Sequence, residues 1–193
     1  MSILVLTSDT LIGTPATGNL EYNGQFFGTD SNASRAQMQR ITQGTAVAST
    51  SGTSIDFTSI PSWAKRITVM FQGVSTNGSS NIQIQIGAGS VTTSGYSHSF
   101  SNLSSVVSTT NFTTGFGISI GDAGAVRHGN ITIALRGSNV WTCDMVIGRS
   151  DAAAGGSGAG SLSLGGTLDR VRITTVNGTD TFDAGSINIL YEG

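Results

Sequence analysis

Apolar residues alternate with Ser, Thr, Asn and Gln in one short run after another, and Gly-rich breaks separate the runs. Ile67, Val69 and Phe71 form one run; Ile82, Ile84 and Ile86 form another; Phe116, Ile118 and Ile120 a third. Ile131, Ile133 and Leu135 repeat the pattern, as do Ile187, Ile189 and Tyr191. A step of two places each set on one face of an extended strand, so the pattern predicts antiparallel sheet with one dry face and one wet face. Further strands are expected at Ile55–Phe57, Val140–Ile147, Leu162–Leu164 and Val171–Val176. Strands at this spacing with Gly/Asn turns predict an all-β, antiparallel sandwich or jelly-roll-like knob spanning residues 44–193. Asn77-Gly78, Gly137-Ser138-Asn139 and Asn177-Gly178 mark its sharpest reversals. The two widest gaps, residues 87–114 and 150–161, read as long surface loops.

Residues 1–40 read differently. Thr14 to Gly18 is turn-forming, and Asn23-Gly24 stands between Leu20, Tyr22 and Phe26, Phe27, which predicts a small hairpin with a type I′ turn. Ser31–Arg40 (SNASRAQMQR) has a helical composition, with Ser31 or Asn32 as N-cap, and is read as a short connector. This N-terminal part is too short to bury Leu4, Leu6, Leu11, Tyr22, Phe26 and Phe27 by itself. Three copies around an axis bury them jointly, at roughly 1.5 to 3 kcal/mol for each large side chain. Residues 1–40 are therefore expected to be a stalk that trimerises and docks.

Composition narrows the function. The 193 residues suffice for one compact sandwich with a small appendage, burying roughly 70% of the unfolded surface. Ser and Thr make up roughly a quarter of the chain while charged residues are 10%. A net charge of −2 with nine Lys plus Arg gives no cationic footprint for phosphate backbones, so nucleic acid is not an expected partner. The single Cys143 excludes an intrachain disulfide. No apolar run approaches the ~20 residues of a membrane-spanning helix, so membrane insertion is not expected. Six Asn-x-Ser/Thr triplets are read as coincidence in so Ser/Thr-rich a chain.

Candidate chemistry is sparse. Gly117 to Gly121 fits the G-x-S-x-G form, but Ser119 lies inside an alternating run with no following helix and reads as an outward strand residue. His98 and His128 stand in Gly/Ser-rich segments and read as hydrogen-bonding loop residues, with no chelating spacing. Cys143 shares a face with Trp141 and reads as core. Asp169, Asp180 and Asp183 show no sign of a carboxylate pair across a cleft; Asp169, Arg170 and Arg172 read as ion-pairing residues. No metal or cofactor is expected. Tyr96, His98 and Phe100, in the first long gap, are either a ligand-contact loop or an edge strand packed on the core. Ala152–Gly160 (AAAGGSGAG) reads as mobile, or as a small-residue tract that wraps a neighbour closely.

Two stretches carry a resemblance. Leu11–Phe27 (LIGTPATGNLEYNGQFF) resembles the T-P-x-x-G-x-x-E-Y-x-G-x-x-F element of fibre proteins of tailed bacteriophages and prophages. Gly44–Gly78 together with Gly166–Glu192 resembles the distal β domain that follows such elements. The resemblance covers about two fifths of the chain. It implies a virion surface protein, a homotrimer without enzymatic activity, docked on other virion proteins of capsid or tail. Because the hairpin element stands so near Met1, a short trimer seated on a larger assembly, as capsid decoration or cement or as a short fibre, is expected ahead of a long tail fibre. A receptor-binding adhesin for host surface glycan or protein is the second expectation, and a polysaccharide hydrolase the third.

Overall fold

The structure, a computed structural model, describes residues 10–193 apart from Ile12, Pro15 and Gly24. The chain divides into two units, Met1–Arg40 and Ile41–Gly193.

The first unit contains β1 (Leu20–Tyr22), β2 (Phe26–Thr29) and β3 (Arg35–Gln37), an antiparallel three-stranded sheet in that order. Tyr22 stands opposite Phe26, so three residues close the β1–β2 hairpin, one more than a two-residue turn; Gly24 itself lies outside the described residues. The expected helical character of Ser31–Arg40 gives way to β3, because Asp30 opens a tight turn there. Its carboxylate accepts the backbone N–H groups of Asn32 and Ser34, each at 2.9 Å, and returns the chain alongside β2.

The second unit runs β4 (Ile41–Gln43), β5 (Val47–Ala48), β6 (Ser54–Thr58), β7 (Arg66–Thr76), β8 (Ile82–Ala88) and β9 (Ser90–Val91). It continues with β10 (Ser97–Leu103), β11 (Ser108–Phe112), β12 (Phe116–Ile118), β13 (Arg127–Gly137) and β14 (Val140–Arg149). Finally come β15 (Gly155–Ser163), β16 (Arg170–Thr175) and β17 (Phe182–Glu192). A nine-stranded sheet follows the order β11-β10-β15-β14-β13-β7-β17-β4, with β5 also on β17. A five-stranded sheet follows β12-β8-β16-β6, with β9 on β8. Every pairing is antiparallel, and the fold is all-β. The unit begins at Ile41 because Thr42 pairs with Tyr191.

The inner faces of the two sheets share one core, as in a β-sandwich. Ile67, Val69, Ile131, Ile133, Ile187 and Ile189 of the larger sheet and Ile82, Ile84, Ile86, Val171 and Ile173 of the smaller are fully buried. Along β14 the alternation is complete: Trp141, Cys143, Met145 and Ile147 are buried while Thr142, Asp144 and Val146 are exposed. Each such side chain contributes roughly 1.5 to 3 kcal/mol through burial.

Both long gaps contain sheet, which corrects their reading as loops. Residues 87–114 hold β9, β10 and β11, and residues 150–161 hold most of β15. Strand β15 is glycine at every inner position beside β10. A Cβ on Gly156 stands 2.5 Å from Phe100 Cε1, and one on Gly160 stands 2.7 Å from His98 Cβ. The glycines leave room for two large side chains of the neighbouring strand to lie over their backbone, so the tract expected to be mobile is a paired strand.

Turn chemistry closes the frame. Ser138 and Asn139, with φ of 48° and 58°, make the two-residue β13–β14 turn. Asp180 ties two turns together, accepting Ser80 N–H at 2.9 Å and the Asn177 amide at 2.6 Å, while Asn77 Oδ1 accepts Thr181 N–H at 2.9 Å. The fully buried Arg127 holds the segment before β13: its guanidinium donates to the carbonyls of Ile120 (Nε, 3.2 Å), Ala125 (2.9 Å) and Asp122 (3.2 Å). Burial pushes that guanidinium down to about 10.

Candidate docking surface

In the N-terminal unit the period of two sorts side chains onto two faces. One face carries Leu20, Tyr22, Phe26, Gly28 and Ala36; Met38, which follows β3 and donates its N–H to the Phe26 carbonyl at 2.8 Å, lies at its edge. Glu21, Phe27, Thr29, Arg35 and Gln37 occupy the other face. There the Arg35 Nε lies 2.6 Å from Glu21 Oε2, with both side chains largely out of water.

The first face is apolar and open. Leu20 is 60% exposed, Met38 52% and Phe26 42%. The Tyr22 and Phe26 rings are tilted against each other with centroids 5.0 Å apart, and with Met38, Gln25, Gln39 and Arg40 they line a concavity of about 410 Å³. Gly28 and Ala36 keep the middle of the sheet low. The arrangement can receive a complementary apolar surface, because a three-stranded sheet this small cannot fold back over its own side chains.

Of the residues expected to dock, Tyr22 and Phe26 come together here. Phe27 is half-buried on the opposite face, Leu11 is half-buried, and Leu4 and Leu6 lie outside the described residues. Sequence reasoning missed Met38, which was hidden in a segment that looked helical, and gave no docking role to Leu20. The β1 alternation was the signal available for Leu20.

Tyr96, His98 and Phe100 are buried in the core of the second unit; His98 and Phe100 lie on β10, which stands between β11 and β15 rather than at the sheet edge, and Tyr96 just precedes it. Tyr96 Oη accepts Ile86 N–H at 2.8 Å and lies 3.0 Å from the Thr92 carbonyl; burial raises its hydroxyl far above the ordinary phenol value. His98 lies between the Phe112 and Phe116 rings, 6.0 and 5.6 Å away, and neither ring nitrogen has a hydrogen-bond partner. Burial pushes its imidazole down to about 4.

The other chemical candidates are each engaged structurally. Ser119 Oγ lies 2.8 Å from Thr110 Oγ1. His128 is a β13 residue rather than a loop residue, accepting Gly73 N–H at Nδ1 (3.2 Å) and meeting Ser150 Oγ at Nε2 (3.1 Å). Asp122 and Asp151 both hold Arg149. Asp169 pairs with Arg170 at 2.8 Å, and Arg172 pairs across strands with Asp56 at 2.6 Å. Cys143 is buried, and desolvation raises its thiol well above the ordinary range. Among the described residues no group of three His, Cys, Asp or Glu is placed to hold a metal ion.

A second concave surface lies on the smaller sheet, a groove of about 350 Å³ over Gln83, Gln85, Arg172 and Thr174, walled by Thr93 and Thr114. Thr114 folds over it, donating to Gln83 Oε1 and accepting from Gln85 Nε2, each at 2.8 Å. The Gln-x-Gln step in β8 was the sequence signal for this polar floor.

No protein-family model, curated protein or solved structure matches this chain.

Proposed function

We propose that this chain is a non-enzymatic structural protein of the surface of a tailed-bacteriophage virion. It is a homotrimer that decorates or cements the capsid, or forms the knob of a short fibre, and its N-terminal unit docks on other virion proteins. The observation that carries the reading is the exposed apolar face of Leu20, Tyr22, Phe26 and Met38 on a unit whose described residues form three short strands, in a chain whose second unit has a large core of its own. The first unit needs partners for that face; the second does not. The sequence resemblance of Leu11–Phe27 to phage fibre elements supports the placement, and the two-sheet second unit suits a jelly-roll-like knob.

Light scattering tests it. The purified chain has three times the monomer mass, or a multiple of that, and Leu20→Ser with Phe26→Ser lowers the mass threefold while circular dichroism of the knob is unchanged. A monomeric wild-type chain overturns the reading. Particles lacking the protein lose physical stability yet still adsorb.

The polar groove over Gln83, Gln85 and Arg172 favours a second reading, an adhesin for host surface glycan or protein. Particles that stay intact but fail to adsorb when the protein is absent select it.

A further inference from the structure

The groove over the smaller sheet has a floor of four side chains set in register. Strands β8 and β16 place Gln83 opposite Thr174 and Gln85 opposite Arg172. Neighbouring strands lie about 4.8 Å apart and alternate residues of one strand about 6.8 Å apart, so the four make a small lattice. Amides on the outer face of a sheet ordinarily reach into water, yet Gln83 is 3% and Gln85 5% exposed. Thr114 folds over them and bonds to both.

The bonds that hold these groups decide what each still offers. Gln85 Nε2 donates to the Thr114 carbonyl at 2.8 Å, which turns its Oε1 the other way, and among the described residues nothing donates to that oxygen. Thr174 Oγ1 donates to the Thr53 carbonyl at 2.8 Å and keeps its own lone pairs. Arg172 gives Nε and Nη2 to Asp56, at 2.6 and 3.0 Å, leaving Nη1 with no partner among the described residues. Gln83 Oε1 is taken by Thr114, while its Nε2 has only a 3.5 Å contact with the Thr175 carbonyl. Each row thus sets a donor beside an acceptor, Gln83 beside Thr174 and Arg172 beside Gln85, and along each strand the order alternates.

We propose that this groove binds a neutral saccharide through its hydroxyl groups, an inference that rests on the adhesin reading of the same groove. A hydroxyl both donates and accepts, so neighbouring hydroxyls of a sugar ring answer a lattice of alternating donors and acceptors. A phosphate or carboxylate only accepts, and leaves Gln85 Oε1 and Thr174 Oγ1 without donors. Charge points the same way, because Arg172 is the one charged residue of the lining among the described residues and Asp56 already neutralises it. A peptide fits poorly. Strands β8 and β16 are interior to their sheet and have no free main-chain edge for it to extend, and Val176 is the one large apolar side chain of the lining among the described residues. The volume of about 350 Å³ lies at the small end of the range of small-molecule sites, roughly 300–1,000 Å³. With no aromatic ring among the described lining residues to stack on a sugar, one site binds weakly, with a Kd of about 1 mM, and several copies together supply the avidity.

Saturation-transfer NMR on the full chain tests it. The probes are the methyl glycosides of glucose, galactose, mannose, rhamnose and N-acetylglucosamine at millimolar concentration, with N-acetylneuraminic acid and trialanine as the anionic and peptide comparisons. Transfer to at least one neutral glycoside is expected. Gln85→Met at the floor and Thr93→Leu at an exposed position of the wall each weaken it about tenfold, and Thr93→Leu leaves the melting temperature unchanged. Absence of transfer to every neutral glycoside overturns the proposal, as does transfer to N-acetylneuraminic acid or trialanine alone, or transfer that Thr93→Leu leaves intact. If Gln85→Met fails to fold, Thr93→Leu decides. Adsorption of particles is read separately: normal adsorption without the protein ends the adhesin reading whatever the NMR shows, whereas lost adsorption without sugar binding keeps that reading, with a protein receptor, and overturns this one.

Discussion

The His98 imidazole lies 5.6 Å from the Phe116 ring, edge to face, with neither of its nitrogens hydrogen-bonded. A proton on that ring has no acceptor, so the folded state refuses it until the pH falls to about 4, against an ordinary value of 6.5. The unfolded chain accepts it earlier. Between those two values the unfolded state binds more protons, and stability falls as the pH falls. Thermal melts from pH 7 to pH 4 are expected to show a falling midpoint in wild type, with a smaller slope in His98→Leu. Asp169 and Asp180, whose partners lower their pKa values from 3.8, start to lose their own contribution only at the acid end of this window, and do so equally in both proteins.

The glycines of β15 predict a contrast. A Cβ at Gly156 lies 2.3 Å from the Ser101 carbonyl and 2.5 Å from the Phe100 ring, whereas one at Gly165 meets nothing within 4 Å. Overpacking costs typically about 1–3 kcal/mol. Gly156→Ala is expected to lower the unfolding free energy from urea titration by that much, and Gly165→Ala to leave it nearly unchanged.

Arg127 predicts a larger loss. Arg127→Met fills a similar volume but strips the carbonyls of Ile120, Ala125 and Asp122 of their donor. Leaving buried acceptors unpaired is expected to cost about 3 kcal/mol. Hydrogen exchange checks the location: protection falls first in residues 119–126.

The Arg172–Asp56 pair sits at the other extreme. Both side chains are more than a third exposed, and exposed pairs contribute about 1 kcal/mol at most. A double-mutant cycle with Arg172→Ala and Asp56→Ala is expected to give a coupling energy of that size that shrinks with added salt.

Strands that bury Ile and Val at every second position were readable in the sequence: β7, β8, β13, β14 and β17 all announce themselves by period. Strands β10 and β15 did not. The inner positions of β15 are Gly156, Gly158 and Gly160, so the volume there is filled by His98 and Phe100 from next door and β15 has no apolar signal of its own. In β10 those two side chains are separated by Ser99 and flanked by Ser97 and Ser101, and a Ser-rich run around a histidine looks like loop. Strand β3 was masked by a composition suited to helix and was set by the Asp30 turn. The docking face was partly readable, since Tyr22 and Phe26 stand out beside Asn23, while Met38 depended on where β3 would return.

Strand β17 gives the order of assembly a direction. It pairs with β7, β4 and β5, partners more than a hundred residues earlier in the chain. Until residues 182–192 emerge during synthesis, β7 has an open flank and the first two strands of this unit have nothing to lie against. The second unit therefore closes only after nearly all of it has been translated, and a chain cut before Phe182 presents the ribosome's neighbourhood with a sticky, unfinished sheet.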